Sequence, residues 1–256
     1  MKTHHRIDGR GERWVTFVTG IANDLSMWDG QVAALERDFR ILRYDLRGHG
    51  GSESTPGDYS MAMLVEDLRA LLEERRVQET ALVGLGLGGA IAQAFAIAHP
   101  DRLWALMPAC CRARMVPDFA AMWHKLRDTV RQNGLESIVE PTVQRWFSDD
   151  FKRAHPEVLE SIRRMIRRTT QEGYLGVTAA FLGLDVEDQL GRINAPTLYV
   201  SGAEDKLGGP PPLMEALSQR VKAAKHVSVP GAAHIANIQN PEGFNAVLTK
   251  FLRETR

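Results

Sequence analysis

The stretch 81-ALVGLGLGGAIAQAFAIAHP-100 joins a short apolar run to four glycines and then to an alanine-rich segment with helical character. Two motifs claim it. Gly84, Gly86 and Gly89 spell G-x-G-x-x-G, the dinucleotide fingerprint, in which a helix N-terminus receives a pyrophosphate. Gly84 and Gly88 also frame the five residues of a nucleophile elbow, a strand-to-helix turn whose central residue normally carries the attacking side chain. In that frame the central residue is Gly86, which has no side chain.

The rest of the chain separates the two readings. A dinucleotide site needs a carboxylate at the end of the next strand, about 20 residues on, to hold the ribose hydroxyl. The segment 103-LWALMPACCRAR-114 supplies none, and two to three strands precede the glycines. Arg112 and Arg114 leave an NADP phosphate as the surviving form of that alternative. An elbow needs a later acid and then a later histidine, each just after a strand. The run 196-PTLYVSG-202 leads to Asp205, and 225-KHVSVPG-231 leads through 232-AAH-234 to His234. Residues at the C-terminal ends of parallel strands gather at one rim. The elbow reading therefore prevails, with Gly86 at the nucleophile position, Asp205 as acid and His234 as base.

Outward from the elbow, short β-rich runs alternate with helical patterns, the signature of a mostly parallel α/β sheet with helices on both faces. Strands are predicted at 13–20, 39–45, 80–85, 103–107, 196–202 and 225–231, with a further edge strand at 3–8. Pro100 and Pro108 are read as punctuation around the fourth long strand. Helices are predicted near 28–38, 60–76, 87–98, 212–220 and 241–253. Between about 115 and 190 the rhythm breaks into helix after helix, divided by Gly134, Pro141, Pro156 and Gly173. The expected organisation is an α/β core of residues 1–115 and 190–256, with residues 116–189 inserted as a helical cap. The basic run 162-IRRMIRR-168 is read as a solvated helix face around buried Ile and Met.

Composition sets bounds on function. The 256 residues carry 32 basic and 32 acidic side chains, so nothing marks a nucleic-acid partner. No apolar run reaches the roughly 18 residues of a membrane span, and the polar start MKTHHRIDGRGERW lacks a signal-peptide core. Two adjacent cysteines, Cys110 and Cys111, cannot make a disulfide framework, and a cytoplasmic location is expected. No cofactor and no metal site is expected; the partner is a small-molecule substrate.

With these motifs in place, the chain resembles the α/β-hydrolases, and among them the 3-oxoadipate enol-lactonase group, from about residue 5 onward. The resemblance rests on 23-NDLSMWDGQVAAL-35, 45-DLRGHGGS-52, 83-VGLGLGGAIAQ-93, 144-QRWF-147, 202-GAED-205 and 231-GAAHIANIQNPEGFN-245. It implies hydrolysis of lactones or carboxylic esters. It also implies Asp205 as the acid, His234 as the general base, and backbone amides of Ile21 and Leu87 as oxyanion donors. Arg112 stands where the group carries an arginine and is a candidate partner for a substrate carboxylate. Trp123 and Trp146 are candidates for the inner face of the cap. Asp45 and Arg47 match a structural loop of the family. Three departures accompany the likeness. The family's serine falls on Gly86, the first of the usual eight strands is truncated or absent, and the oxyanion loop reads 18-VTGIAND-24.

Glycine has no atom with which to attack an acyl carbon, so an acyl-enzyme route is closed to this chain. In one studied protease, removal of the nucleophile lowered kcat about 10⁶-fold. Three accounts follow: a Ser→Gly change that disarms a serine enzyme or traps its ligand, a natural chain in which His234 and Asp205 act on water or directly on substrate, as in direct hydrolysis or decarboxylation, or a relative that only binds ligand. Cys110, Cys111, Ser52 and Ser54 are read as packing or turn residues rather than substitute nucleophiles.

Overall fold

A computed structural model describes residues 1–255. Its strands are β1 (His5–Gly9), β2 (Trp14–Val18), β3 (Arg40–Tyr44), β4 (Thr80–Leu85), β5 (Leu103–Ala109), β6 (Leu198–Gly202) and β7 (Lys225–Val229). They form one sheet in the order β1-β3-β2-β4-β5-β6-β7. β1 runs antiparallel to β3 and every other pairing is parallel. Sequence-adjacent parallel strands need crossovers, and helices supply them. These are α1 (Asp29–Leu35), α2 (Met61–Glu74), α3 (Leu87–Ala98), α4 (Pro117–Asn133), α5 (Val139–Trp146), α6 (Asp149–Ala154), α7 (Pro156–Arg167), α8 (Gln171–Leu182), α9 (Pro211–Ser218), α10 (Ala236–Gln239) and α11 (Pro241–Glu254).

Every residue of β4 is buried, as expected of a strand covered on both faces. α2 packs with α3, while α1, α10 and α11 pack with one another. Phe17 on β2 stacks on Trp28, ring centroids 4.6 Å apart, in the core beneath α1 and α11. α3 lies unusually close to the sheet. A Cβ on Gly88 would fall 2.2 Å from the Val18 carbonyl oxygen and 2.6 Å from that of Thr19. This glycine of the quoted stretch is therefore required by helix-to-strand packing, independently of any phosphate.

β5 extends two residues beyond its predicted end, through Pro108 to Ala109. The amides of Leu106 and Cys110 donate to the Pro196 and Val200 carbonyls of the β6 side, at 2.9 and 2.8 Å. Pro108 lies between them and has no amide to give, so the β5–β6 ladder shrinks to the single pair Ala109–Val200. The proline interrupts the ladder without ending the strand.

The segment between β5 and β6 holds α4 to α8 and no named strand; its sheet-like contacts are two isolated bridges, Arg114 to Asp185 within it and Thr197 to Leu106 of β5. On α7, Ile162, Met165 and Ile166 are buried, while Arg163 and Arg167 pair with Glu140 and Glu136 on the outside. The insertion is tied to the core by buried Arg127, which bonds Asp58, Thr178 and the Leu175 carbonyl. Among the described residues no helix is long and apolar enough to cross a membrane.

The loop after β3 is organised by Asp45, whose buried carboxylate accepts from the Leu25 and Gly51 amides at 2.6 and 2.8 Å and pairs with His4. Arg47 pairs with Asp67, and Ser52 donates to the Asp45 carbonyl at 2.7 Å. His49 sits fully buried in the same loop, its Nδ1 3.0 Å from the Arg47 carbonyl. Burial pushes its imidazole down to about 4 from 6.5, against the opposing pull of that carbonyl and of Asp24. Because the folded value lies below the unfolded one, protonation favours the unfolded chain. The stability tied to a neutral His49 is complete above about pH 6.5 and is lost as pH falls toward 4. Urea unfolding should show a decline on the order of 3 kcal/mol across that window. His49→Gln should flatten it; an unchanged slope in that variant would reject the assignment.

Candidate active site

Three loops at the C-terminal ends of parallel strands meet at one point. The first follows β4. Gly86 takes φ 61° and ψ −122°, a conformation that side-chain-bearing residues enter only with strain. Its own amide donates to the Ala109 carbonyl at 3.0 Å. Its carbonyl accepts from Gly89 and Ala90 as the first turn of α3 closes. Leu87 is left as the first helical residue with a free amide. Neither the Leu87 amide nor the Ile21 amide finds an acceptor among the described residues, and both residues line the same cavity.

The second loop follows β6. Asp205 is buried, and its two oxygens are fully engaged. Oδ1 accepts from the Leu207 and Gly208 amides at 2.7 and 3.2 Å; Oδ2 accepts from the Gly209 amide at 3.0 Å. Oδ2 also lies 3.1 Å from Nδ1 of His234, in the third loop, after β7. Burial pushes the Asp205 carboxyl up, but the His234 charge and hydrogen bond with the Leu207 and Gly209 amides outweigh it and hold it below the usual carboxylate range. An ionised carboxylate can only accept, so the His234 proton resides on Nδ1 and Nε2 presents a lone pair. That lone pair faces Gly86: a Cβ built there would sit 3.5 Å from Nε2, an ordinary contact. The arrangement can take a proton from a group beside Gly86 and can receive negative charge at the two free amides.

The histidine is also gripped from the insertion. The Trp146 carbonyl, at the end of α5, accepts from the His234 and Ile235 amides at 3.1 and 3.4 Å. Gln239 reinforces this contact: its Nε2 donates to Ser148 Oγ at 2.7 Å and to the Gly231 carbonyl at 3.0 Å.

Over these loops lies a cavity of about 620 Å³, mouth included. Its floor holds Ile21, Gly86, Leu87, Arg112 and His234. Its roof comes from the inserted helices, with Phe119, Trp123, Arg145, Trp146, Tyr174 and Phe181. Arg112 is half-buried, donates to the Leu207 carbonyl at 3.2 Å and lies 4.1 Å over the Phe119 ring. Trp123 meets Phe181 edge-on at 5.4 Å. Of the candidate site residues, Ile21, Gly86, Leu87, Arg112, Trp123, Trp146 and His234 line this cavity, and Asp205 stands behind His234. Cys110 lines it too, but burial pushes its thiol well up, so it stays protonated and unreactive. Among the described residues, no three His, Cys, Asp or Glu side chains cluster to hold a metal ion.

Sequence reasoning missed Arg145, Tyr174 and the role of Gly208. Arg145 stands beside Trp146 in 144-QRWF-147, but nothing local distinguishes it from the exposed arginines of α7. Gly208 had a visible signal in the pair Gly208–Gly209 just after the acid. A Cβ at Gly208 would lie 2.3 Å from Cε1 of His234 and 2.8 Å from the Cys110 carbonyl. Gly208→Ala should therefore push the imidazole off Asp205 and lower stability by about 1–3 kcal/mol. Loss of the low-field Nδ1 proton resonance of His234, with a lowered melting temperature, is the expected readout. A retained resonance would show that the loop yields instead.

The chain matches the α/β-hydrolase fold family over residues 13–241. It is 30% identical over 244 residues to 3-oxoadipate enol-lactonase 2 of Acinetobacter baylyi, covering 92% of this chain and 88% of that one. Among solved structures, the enol-lactonase from Burkholderia xenovorans superposes with a TM-score of 0.94 at 32% identity, covering 98% and 96% of the two chains. A thermophilic esterase from Thermogutta terrifontis, solved with malate bound, gives 0.93 at 31% identity, covering 99% and 93%. The sheet order, the three convergent loops and these likenesses together make the chain a member of the α/β-hydrolase family, similar to the 3-oxoadipate enol-lactonases.

Proposed function

We propose that this protein hydrolyses a small lactone or carboxylic ester by a direct route. In this route His234, held by Asp205, activates a water beside Gly86. The observation that carries the reading is the 3.5 Å separation between His234 Nε2 and the side-chain position of Gly86. A hydroxyl would fill that space in a serine enzyme, and a water can fill it here. Nε2 takes a proton from the water as the oxygen attacks the carbonyl carbon. The amides of Ile21 and Leu87 receive the resulting oxyanion. The imidazolium, steadied by ionised Asp205, then returns the proton to the leaving alkoxide as the C–O bond breaks. The products are a carboxylic acid and an alcohol, or a single hydroxy or keto acid from a lactone.

Residues 116–189 act in this reading as a cap that shields the reaction from bulk solvent. Arg112 meets a substrate carboxylate, and Trp123 and Trp146 shape the roof. The enol-lactonase likenesses support a lactone carrying an acid, and malate bound to the esterase relative is in keeping with an anionic ligand.

A second reading has its own support. The ordinary contact distance at Gly86 leaves room for a serine, so the same frame fits a serine hydrolase disarmed at this residue. Assays on small lactones and aryl esters separate the two. The direct route predicts slow turnover by the present chain, lost by about 10²- to 10⁴-fold in His234→Ala; full activity in that variant would reject His234 as the base. Gly86→Ser should gain ester turnover and become labelled at position 86 by a fluorophosphonate. A variant that is active only after this change would favour the disarmed-serine reading.

A further inference from the structure

The cavity is rich in unused hydrogen-bond donors and, among the described residues, is lined by no carboxylate. Three of its lining residues carry a buried donor nitrogen without an acceptor: Nε of Arg112, Nε of Arg145 and Nε1 of Trp123. Neither arginine forms an ion pair among the described residues. Asp205 is the carboxylate nearest in influence to Arg112, but its oxygens are already taken by three amides and His234. A guanidinium drawn partly out of water without a counter-charge is disfavoured, and this cavity holds two.

The two arginines are anchored separately. Arg112 leaves the end of β5 and is fixed by the Leu207 carbonyl and the Phe119 ring, on the acid-loop side of the cavity. Arg145 leaves α5 one residue before Trp146 and donates to Thr142 Oγ1 at 3.2 Å. They belong to different elements and have different partners, so each can hold an acidic group of its own. A ligand with a single negative charge would neutralise one guanidinium and bury the other uncompensated.

We infer that the substrate is a dianion, a small lactone or ester with one acidic group at Arg112 and another at Arg145, with Trp123 Nε1 a further free donor in the same cavity. The inference rests on the hydrolytic reading for the reaction but not for the binding. The carbonyl to be attacked lies between the two charged ends, which would set it over Gly86 and within reach of His234.

Isothermal titration of the intact chain with succinate, glutarate and adipate, each against butyrate, valerate or hexanoate of the same length, tests this directly. The best dicarboxylate should bind at least about tenfold tighter than its monocarboxylate counterpart, the worth of one charged hydrogen-bonded pair. Arg112→Gln and Arg145→Gln should each abolish that preference, and Arg112→Lys and Arg145→Lys should restore part of it. The lysine variants also serve if either glutamine variant fails to fold. Equal affinity for the two series, binding by neither, or an undiminished preference in either glutamine variant overturns the inference. His234→Ala should keep the dicarboxylate preference whatever becomes of turnover, so a failure of the hydrolytic reading is distinguishable from a failure of this one.

Discussion

The hydrogen bond from His234 Nδ1 to Asp205 Oδ2 organises the rim of the sheet. Its acceptor is made rigid by three successive amides, those of Leu207, Gly208 and Gly209, which wrap the carboxylate, while His234 itself, with the Leu207 and Gly209 amides, outweighs burial and holds it ionised. Because the carboxylate accepts on every side, the imidazole has one tautomer available and one direction in which its free nitrogen can point. That direction is Gly86. Close packing enforces the geometry: the acid loop runs so near the ring that position 208 has no room for a Cβ.

The inserted helices do more than roof the cavity. Through the Trp146 carbonyl they hold the backbone at His234, and through Ser148 and Gln239 they brace the turn before it. A shift of α5 would move the imidazole as well as the cavity wall. The same helix carries Arg145, so the element that positions the base also carries one of the two unpaired charges. The guanidinium of Arg145 and the carbonyl that holds His234 are thus carried on one short helix.

Gly86 gives this arrangement its character. A nucleophile elbow is ordinarily strained, because the turn imposes positive φ on a residue with a side chain. Glycine adopts that turn without strain, and the free amides of Ile21 and Leu87 and the Asp205–His234 pair surround the space where a side chain would stand. The surrounding pocket holds two half-buried arginines, and its roof is closed by packed aromatic rings.

Much of this was legible in the chain itself. Alternating strand and helix patterns, the glycine turn and the order of Asp205 and His234 after their strands follow from local backbone preferences and hydrophobic periodicity. Such signals are written residue by residue. The tertiary structure decided the rest. Pro108 reads locally as a stop, yet β5 continues through it because its other neighbour, β4, stays in register with it through Pro108 and Ala109. Arg145 reads as one more helix-surface arginine, and only the packing of α5 over the sheet turns it into the cavity. The grip of Trp146 on His234 is made by a carbonyl, which every residue possesses, so no residue type could announce it. Contacts of that kind are set by how distant elements dock, a property that sequence patterns do not encode locally.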